Sequence, residues 1–176
     1  MDFLNVVVDP LVDFMRHHEY WAILIVLLLS FGESLAFISL LLPATVILFA
    51  LGGVIGSADL TFWPLWLAAA VGATLGDWLS FWLGKIYGPG IAQLWPLSRH
   101  PDLLPRGHAF FDKWGIAGVF MGRFFGPLRA SIPLVAGICA MPDKKFQLAN
   151  VASAFVWATG ILAPGIIGMK WFFNGQ

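Results

Sequence analysis

Apolar residues dominate long stretches of this chain, and the few polar positions between and inside those stretches define its elements. From Leu4 to His17, Val7, Leu11, Phe14 and Met15 recur at helical spacing among Asp9, Asp13 and Arg16, which predicts a short amphipathic helix lying at an interface. From Trp21 to Ile55 the chain is apolar but punctured by Gly32-Glu33 and by Pro43. That run is too long for one crossing and too interrupted for two, at about 20 residues per crossing, so it predicts a broken, re-entrant element. Asp59 and Thr61 mark a short connection. Phe62 to Leu83 reads as a spanning helix, with Gly72, Gly76 and Ser80 at four-residue steps forming a close-packing stripe. Lys85 to Lys113 is the one long polar region, and Pro89, Pro96, Pro101 and Pro105 exclude a single long helix there. Trp114 to Met141 is apolar again around two arginines. Pro142-Asp143-Lys144-Lys145 connects it to a last span, Phe146 to Phe173, with Pro164 near its end.

The two halves share a plan, a broken segment followed by a span. The expected fold is an all-α polytopic membrane protein: an inverted repeat of two re-entrant broken-helix hairpins, each followed by a transmembrane helix, with an N-terminal amphipathic helix. One domain over residues 1–176 is expected, with a first half at 20–83, a polar connector at 84–113 and a second half at 114–173. Lys85, Arg99, Arg106 and Lys113 precede the second broken segment, and Lys144 and Lys145 follow it. The positive-inside rule puts both groups in the cytoplasm, so that segment enters and leaves on one side, although Arg16 and Lys170 fall on the opposite side of this assignment. Hairpin tips entering from opposite faces would meet near the midplane, where transporters of this kind hold substrate.

Composition agrees with a membrane setting: 59% of residues are hydrophobic, 11% are charged, and the mean hydropathy is +0.82. A formal net charge of zero gives no footprint for nucleic acid. Cys139 has no partner for an internal disulfide and reads as a small packing residue. The amino terminus lacks the features of a cleaved secretory signal, so the first apolar segment is expected to be retained. His17, His18, His100 and His108 lack metal-ligand spacing, and neither metal nor cofactor is expected. Tyr20, Trp21, Trp63, Trp114 and Trp171 lie near segment ends, as interfacial anchors do. With no nucleophile elbow, metalloprotease motif or P-loop, the chain does not read as an enzyme.

The exceptional residues are Arg123 and Arg129. One arginine at mid-bilayer costs at least about 2.5–3.5 kcal/mol, so two demand a buried acid, water or an anionic ligand. In one continuous helix six positions advance by about 600°, which points the two side chains apart. Gly126 and Pro127 break the helix between them, and two half-helices meeting at a turn would let both arginines converge on one polar site.

These residues resemble the DedA family of bacterial inner-membrane proteins, whose core domain is shared with lipid scramblases of the endoplasmic reticulum. The resemblance covers nearly the whole chain. The family's paired-arginine motif is similar to Phe120-Met121-Gly122-Arg123-Phe124-Phe125-Gly126-Pro127-Leu128-Arg129. Its following Pro and Gly look like Pro133 and Gly137, and its downstream Asn and Trp like Asn150 and Trp157. The first-half motif is similar to Gly76-Asp77-Trp78-Leu79-Ser80-Phe81-Trp82-Leu83-Gly84-Lys85, with Glu33 as the upstream acid. One departure stands out: where relatives commonly carry Pro-Gly and then an acid or small polar residue, this chain has Pro43-Ala44-Thr45.

The resemblance implies transport of a phosphate-bearing lipid between leaflets, with undecaprenyl phosphate the first candidate and a phospholipid the next. Arg123 and Arg129 would bind the headgroup, and Glu33 and Asp77 would couple protons or pair with the arginines. The alternatives are a proton-coupled transporter of a small solute and a non-transport packing partner. The expected partners are membrane lipid, then protons and a second copy of the chain.

Overall fold

The computed structural model describes residues 19–35, 48, 61–91, 103–125, 129 and 131–174. The interfacial helix expected over 4–17, the tip at Pro43 and the breakers Gly126 and Pro127 lie outside the described residues. Among the described residues the chain is all-helical: α1 (Glu19–Ser34), α2 (Phe62–Ile91), α3 (Leu103–Gly122), α4 (Ser131–Ile138) and α5 (Asp143–Asn174). Asp143–Pro164, 22 residues, is the one helix among them long and apolar enough by composition to cross a membrane, and Tyr20–Ser34 is a shorter apolar helix.

The centrepiece is α2, whose 30 residues give a rod about 45 Å long. It continues past Leu83, where the polar connector was expected to begin, and runs through Pro89 to Ile91. A proline so close to a helix end removes one hydrogen bond and leaves the rest of the helix intact. Pro64 sits in the first turn, where backbone N–H groups have no intrahelical acceptor anyway.

Opposite faces of α2 carry opposite kinds of residue. Trp63, Leu67, Val71, Leu75, Trp78, Trp82 and Ile86, spaced by three or four, are all exposed. Small residues take the inward face. A Cβ on Gly72 would collide with the carbonyl of Leu27, and one on Gly76 would press on Phe31 and Ser34, so both glycines let α1 lie against bare backbone. Further along, a Cβ on Gly84 would strike the carbonyl of Leu134, and one on Gly137 would strike the carbonyl of Phe81, so α2 and α4 meet main chain to main chain. In a solvent of lipid tails, close approach of this sort drives helix association.

Directions follow from the pairings. Along α2, Leu27, then Phe31, then Ser34 of α1 meet Gly72, Gly76 and Ser80 in turn, so α1 and α2 are parallel. Trp66 with Thr159, Asn150 with the Thr74 carbonyl, Phe81 with Phe146 and Lys85 with Asp143 make α2 and α5 antiparallel. Two apolar clusters result. One is alanine-rich, around Leu65, Ala69, Ala73, Ala154, Ala158 and Leu162. The other is built on the stacked rings of Phe81 and Phe146, with centroids 4.0 Å apart, together with Val119, Ala136 and Met141. Between them, on both α2 and α5, lie the buried polar residues Asp77, Asn150 and Ser153.

The second half holds a bend the polarity pattern did not announce. Helix α3 begins at Leu103, inside the expected connector, and breaks at Gly115, whose φ of 48° and ψ of −123° are open to glycine and strained for other residues. The two parts fold toward each other so far that a Cβ on Gly118 would lie 2.8 Å from the ring of Phe110. Helix α4 spans eight residues, about 12 Å. It ends in a left-handed cap: Met141 N–H donates to the Ala136 carbonyl (3.0 Å) and Ala140 N–H to that of Gly137 (2.9 Å), with Ala140 at φ 53°. The Pro142 carbonyl then starts α5, three residues earlier than the polarity pattern implied, and Asp143 sits in its first turn, where a negative charge suits the helix dipole. Helix α5 runs on through Pro164 to Asn174.

Candidate functional site: a buried layer of charge

Helix α3 stops at Gly122, and Arg123 follows in a turn; Arg129 stands just ahead of α4. From these two points both guanidinium groups enter the protein, with side chains only 4% and 11% exposed. Arg123 Nη2 donates to Asp77 Oδ2 in a close ion pair and to Asn150 Oδ1 at 2.7 Å. Arg129 Nη1 donates to Glu33 Oε1 at 2.8 Å, its Nη2 reaches Ser34 Oγ at 3.5 Å, and its Cζ lies 4.5 Å from the centre of the Trp157 ring. Ser34 also hydrogen-bonds Asp77, so one hydroxyl touches both ion pairs. The arginines therefore share a single polar layer.

Each contributor is placed by its helix. Glu33 and Ser34 close α1, where the unpaired carbonyls of the last turn favour a nearby cation. Asp77 stands at the middle of α2, directly after Gly76, the glycine that admits Ser34. Asn150 is fully buried on α5 and uses both ends of its amide: Oδ1 accepts from Arg123, and Nδ2 donates to the Thr74 carbonyl at 3.0 Å. Trp157 lies two turns further on the same helix and is 5% exposed. Buried charges of this kind persist when paired and hydrogen-bonded, and these are both.

One donor is left over. Arg123 Nη1 is buried with no hydrogen-bond partner among the described residues, and the same holds for Ser30 Oγ one turn before Ser34. A buried guanidinium nitrogen without an acceptor costs about 1–3 kcal/mol or more, so the site carries donor capacity that an anion or water would satisfy.

Of the sequence-derived site residues within the described part, Arg123, Arg129, Glu33, Asp77, Asn150 and Trp157 meet in this layer. Arg123, Arg129, Glu33 and Asp77 form the two pairs, and Asn150 and Trp157, singled out from motif alone, touch the arginines directly. Gly76, Gly84 and Gly137 are contact points of the helix packing, and Pro133 is buried in the first turn of α4. Ser34 was not singled out, although it adjoins Glu33; neither was Thr74, whose contribution is a carbonyl and so leaves no mark in side-chain chemistry. Cys139 lies in the turn after α4, beside Gly107, and His108 is exposed. Among the described residues no group of three or more His, Cys, Asp or Glu side chains could hold a metal.

Comparison with known proteins identifies the family. Residues 42–166 match the VTT domain family, a span containing Asp77, both arginines, Asn150 and Trp157. The chain is similar to the inner membrane protein YabI of Escherichia coli K12, 35% identical over 154 residues, which is 88% of this chain and 61% of that protein. It is 34% identical over 157 residues to an uncharacterized membrane protein of Buchnera aphidicola from Acyrthosiphon pisum, covering 89% and 61%. With the inner membrane protein YghB of E. coli K12 it shares 32% identity over 130 residues, covering 70% and 57%. The chain thus spans about three fifths of the length of these relatives. No solved structure matches.

Proposed function

This chain belongs to the VTT domain (DedA) family of inner-membrane proteins, and from that premise we propose that it moves a phosphate-bearing lipid between leaflets. The observation that carries the proposal is the buried arginine pair with an unused donor, Arg123 Nη1. Phosphate oxygens are the natural acceptors for guanidinium forks. Four charges that balance in pairs keep the empty site neutral, and a headgroup binds by taking the place of a carboxylate. Undecaprenyl phosphate is the first candidate and a phospholipid the second. In this proposal the chain is a transporter: the arginines bind and release the headgroup and leave its bonds unchanged.

The re-entrant architecture belongs to the same proposal. The part of α3 after Gly115 and the eight-residue α4 are each far shorter than the roughly 30 Å hydrocarbon core, and the arginines lie between them, as half-helices meeting at a tip require. Opposed tips leave a headgroup little hydrocarbon to pass while its tail stays in lipid.

The test is reconstitution. Liposomes carrying a polyprenyl phosphate, with headgroup access read by an added phosphatase, should equilibrate at least ten times faster with the protein than without it, and Arg123→Ala and Arg129→Ala should each remove the gain. Equal rates with and without protein would defeat the proposal. A second reading, proton-coupled transport of a small solute, draws on the two buried carboxylates of Glu33 and Asp77. Movement that ignores an imposed pH gradient, with Glu33→Gln fully active, would remove it.

A further inference from the structure

A groove on the far side of the arginine turn deepens this reading. Helices α3 and α4 enclose a cavity of about 520 Å³ whose walls are almost wholly apolar, with Phe110, Trp114, Met121, Gly122, Phe125 and Ile132 among its lining. That volume lies within the range of small-molecule pockets. Its position is specific: Gly122 immediately precedes Arg123, and Ser131, which also lines it, lies two residues past Arg129. The groove therefore abuts the arginine-bearing segment at both of that segment's ends. Glycine keeps it open. A Cβ on Gly122 would drive into Ile132, and one on Gly118 would meet Phe110 and Trp114, closing the elbow that the Gly115 bend creates. The hollow at Trp78 and Trp82 differs, being smaller, about 350 Å³, and walled among the described residues by α2.

We propose that this groove seats the hydrocarbon chain of the lipid whose phosphate the arginines take; the inference rests on the function proposed above. One occupant fits both features at once. It must be apolar along the groove and anionic where the groove reaches the arginine turn, which describes a long-chain lipid phosphate. A free phosphate leaves the groove unused.

The experiment separates chain from headgroup. Detergent-solubilised protein would be titrated with a long polyprenyl phosphate and with inorganic phosphate, which has no chain. Ala117→Trp, at an exposed groove position clear of the buried charges, should weaken the long-chain ligand at least tenfold and leave inorganic phosphate unchanged. Met121→Ala, a milder change to an exposed wall, should weaken the long chain about threefold. Arg123→Ala should weaken both ligands. Unchanged long-chain binding in both groove variants overturns the inference, as does equal weakening of both ligands. A change in oligomeric state with intact long-chain binding assigns the groove to a second copy. If neither phosphate binds the unaltered protein, the lipid-phosphate function fails first, a result distinct from failure of the groove alone.

Discussion

Arg123 and Arg129 carry the same charge in the same polar layer and are held in different ways. Arg123 is fixed by Asp77 and Asn150, which project from the two longest helices, and those helices are locked together on either side by Trp66–Thr159 and by the Phe81–Phe146 stack. Arg129 is held by the final turn of α1, by a long 3.5 Å contact to Ser34 and by the face of a tryptophan ring. An aromatic face attracts a cation without the directional demand of a hydrogen bond, so it tolerates displacement. Arg123 is thus the more firmly held post, and Arg129 is the one for which the proposed transport would require release.

Five variants break or sharpen that contrast. The largest effect is expected at Arg123. Replacing it with Ala strands Asp77 as a buried, uncompensated charge, and a loss of about 3–5 kcal/mol should appear in thermal unfolding in micelles. Arg123→Met combined with Asp77→Leu should recover most of that stability while transport stays lost; recovery of both would make the pair purely structural. Gly84→Ala should cost about 1–3 kcal/mol, because the added methyl meets the Leu134 carbonyl in a contact that no side-chain rotation relieves. Trp157→Leu should cost about 1–2 kcal/mol through the space it leaves in the core, and its further effect, on Arg129, should show as altered lipid affinity. An unfolding loss equal to that of Arg123→Ala would erase the distinction between post and release. Smallest is Ala140→Gly, which should stabilise by about 0.4–1 kcal/mol by removing the strain of a left-handed alanine in the α4 cap, a fixed reference outside the arginine layer.

The sequence made much of the site legible and less of its wiring. Arginines in an apolar run are costly enough to announce themselves, as are Glu33 and Asp77, and the Gly72–Gly76–Ser80 periodicity foretold a packed face. Which acid meets which arginine depends on how α1 and α5 lie against α2, a long-range fact with no local trace. Ser34 escaped notice because serine is ordinary in such segments; its importance comes from standing where two ion pairs touch. The Gly115 bend was hidden because an isolated glycine inside a helical pattern reads as tolerated. The extension of α2 through Pro89 was hidden for the opposite reason, since proline signals a break whose cost depends on its distance from the helix end.

The facing glycines Gly84 and Gly137 have a mechanical consequence. A joint made of main-chain atoms contains no rotamers that could absorb a displacement, so a side chain added at either glycine can only wedge the two helices apart, and the spacing of α2 and α4 is set by backbone thickness alone.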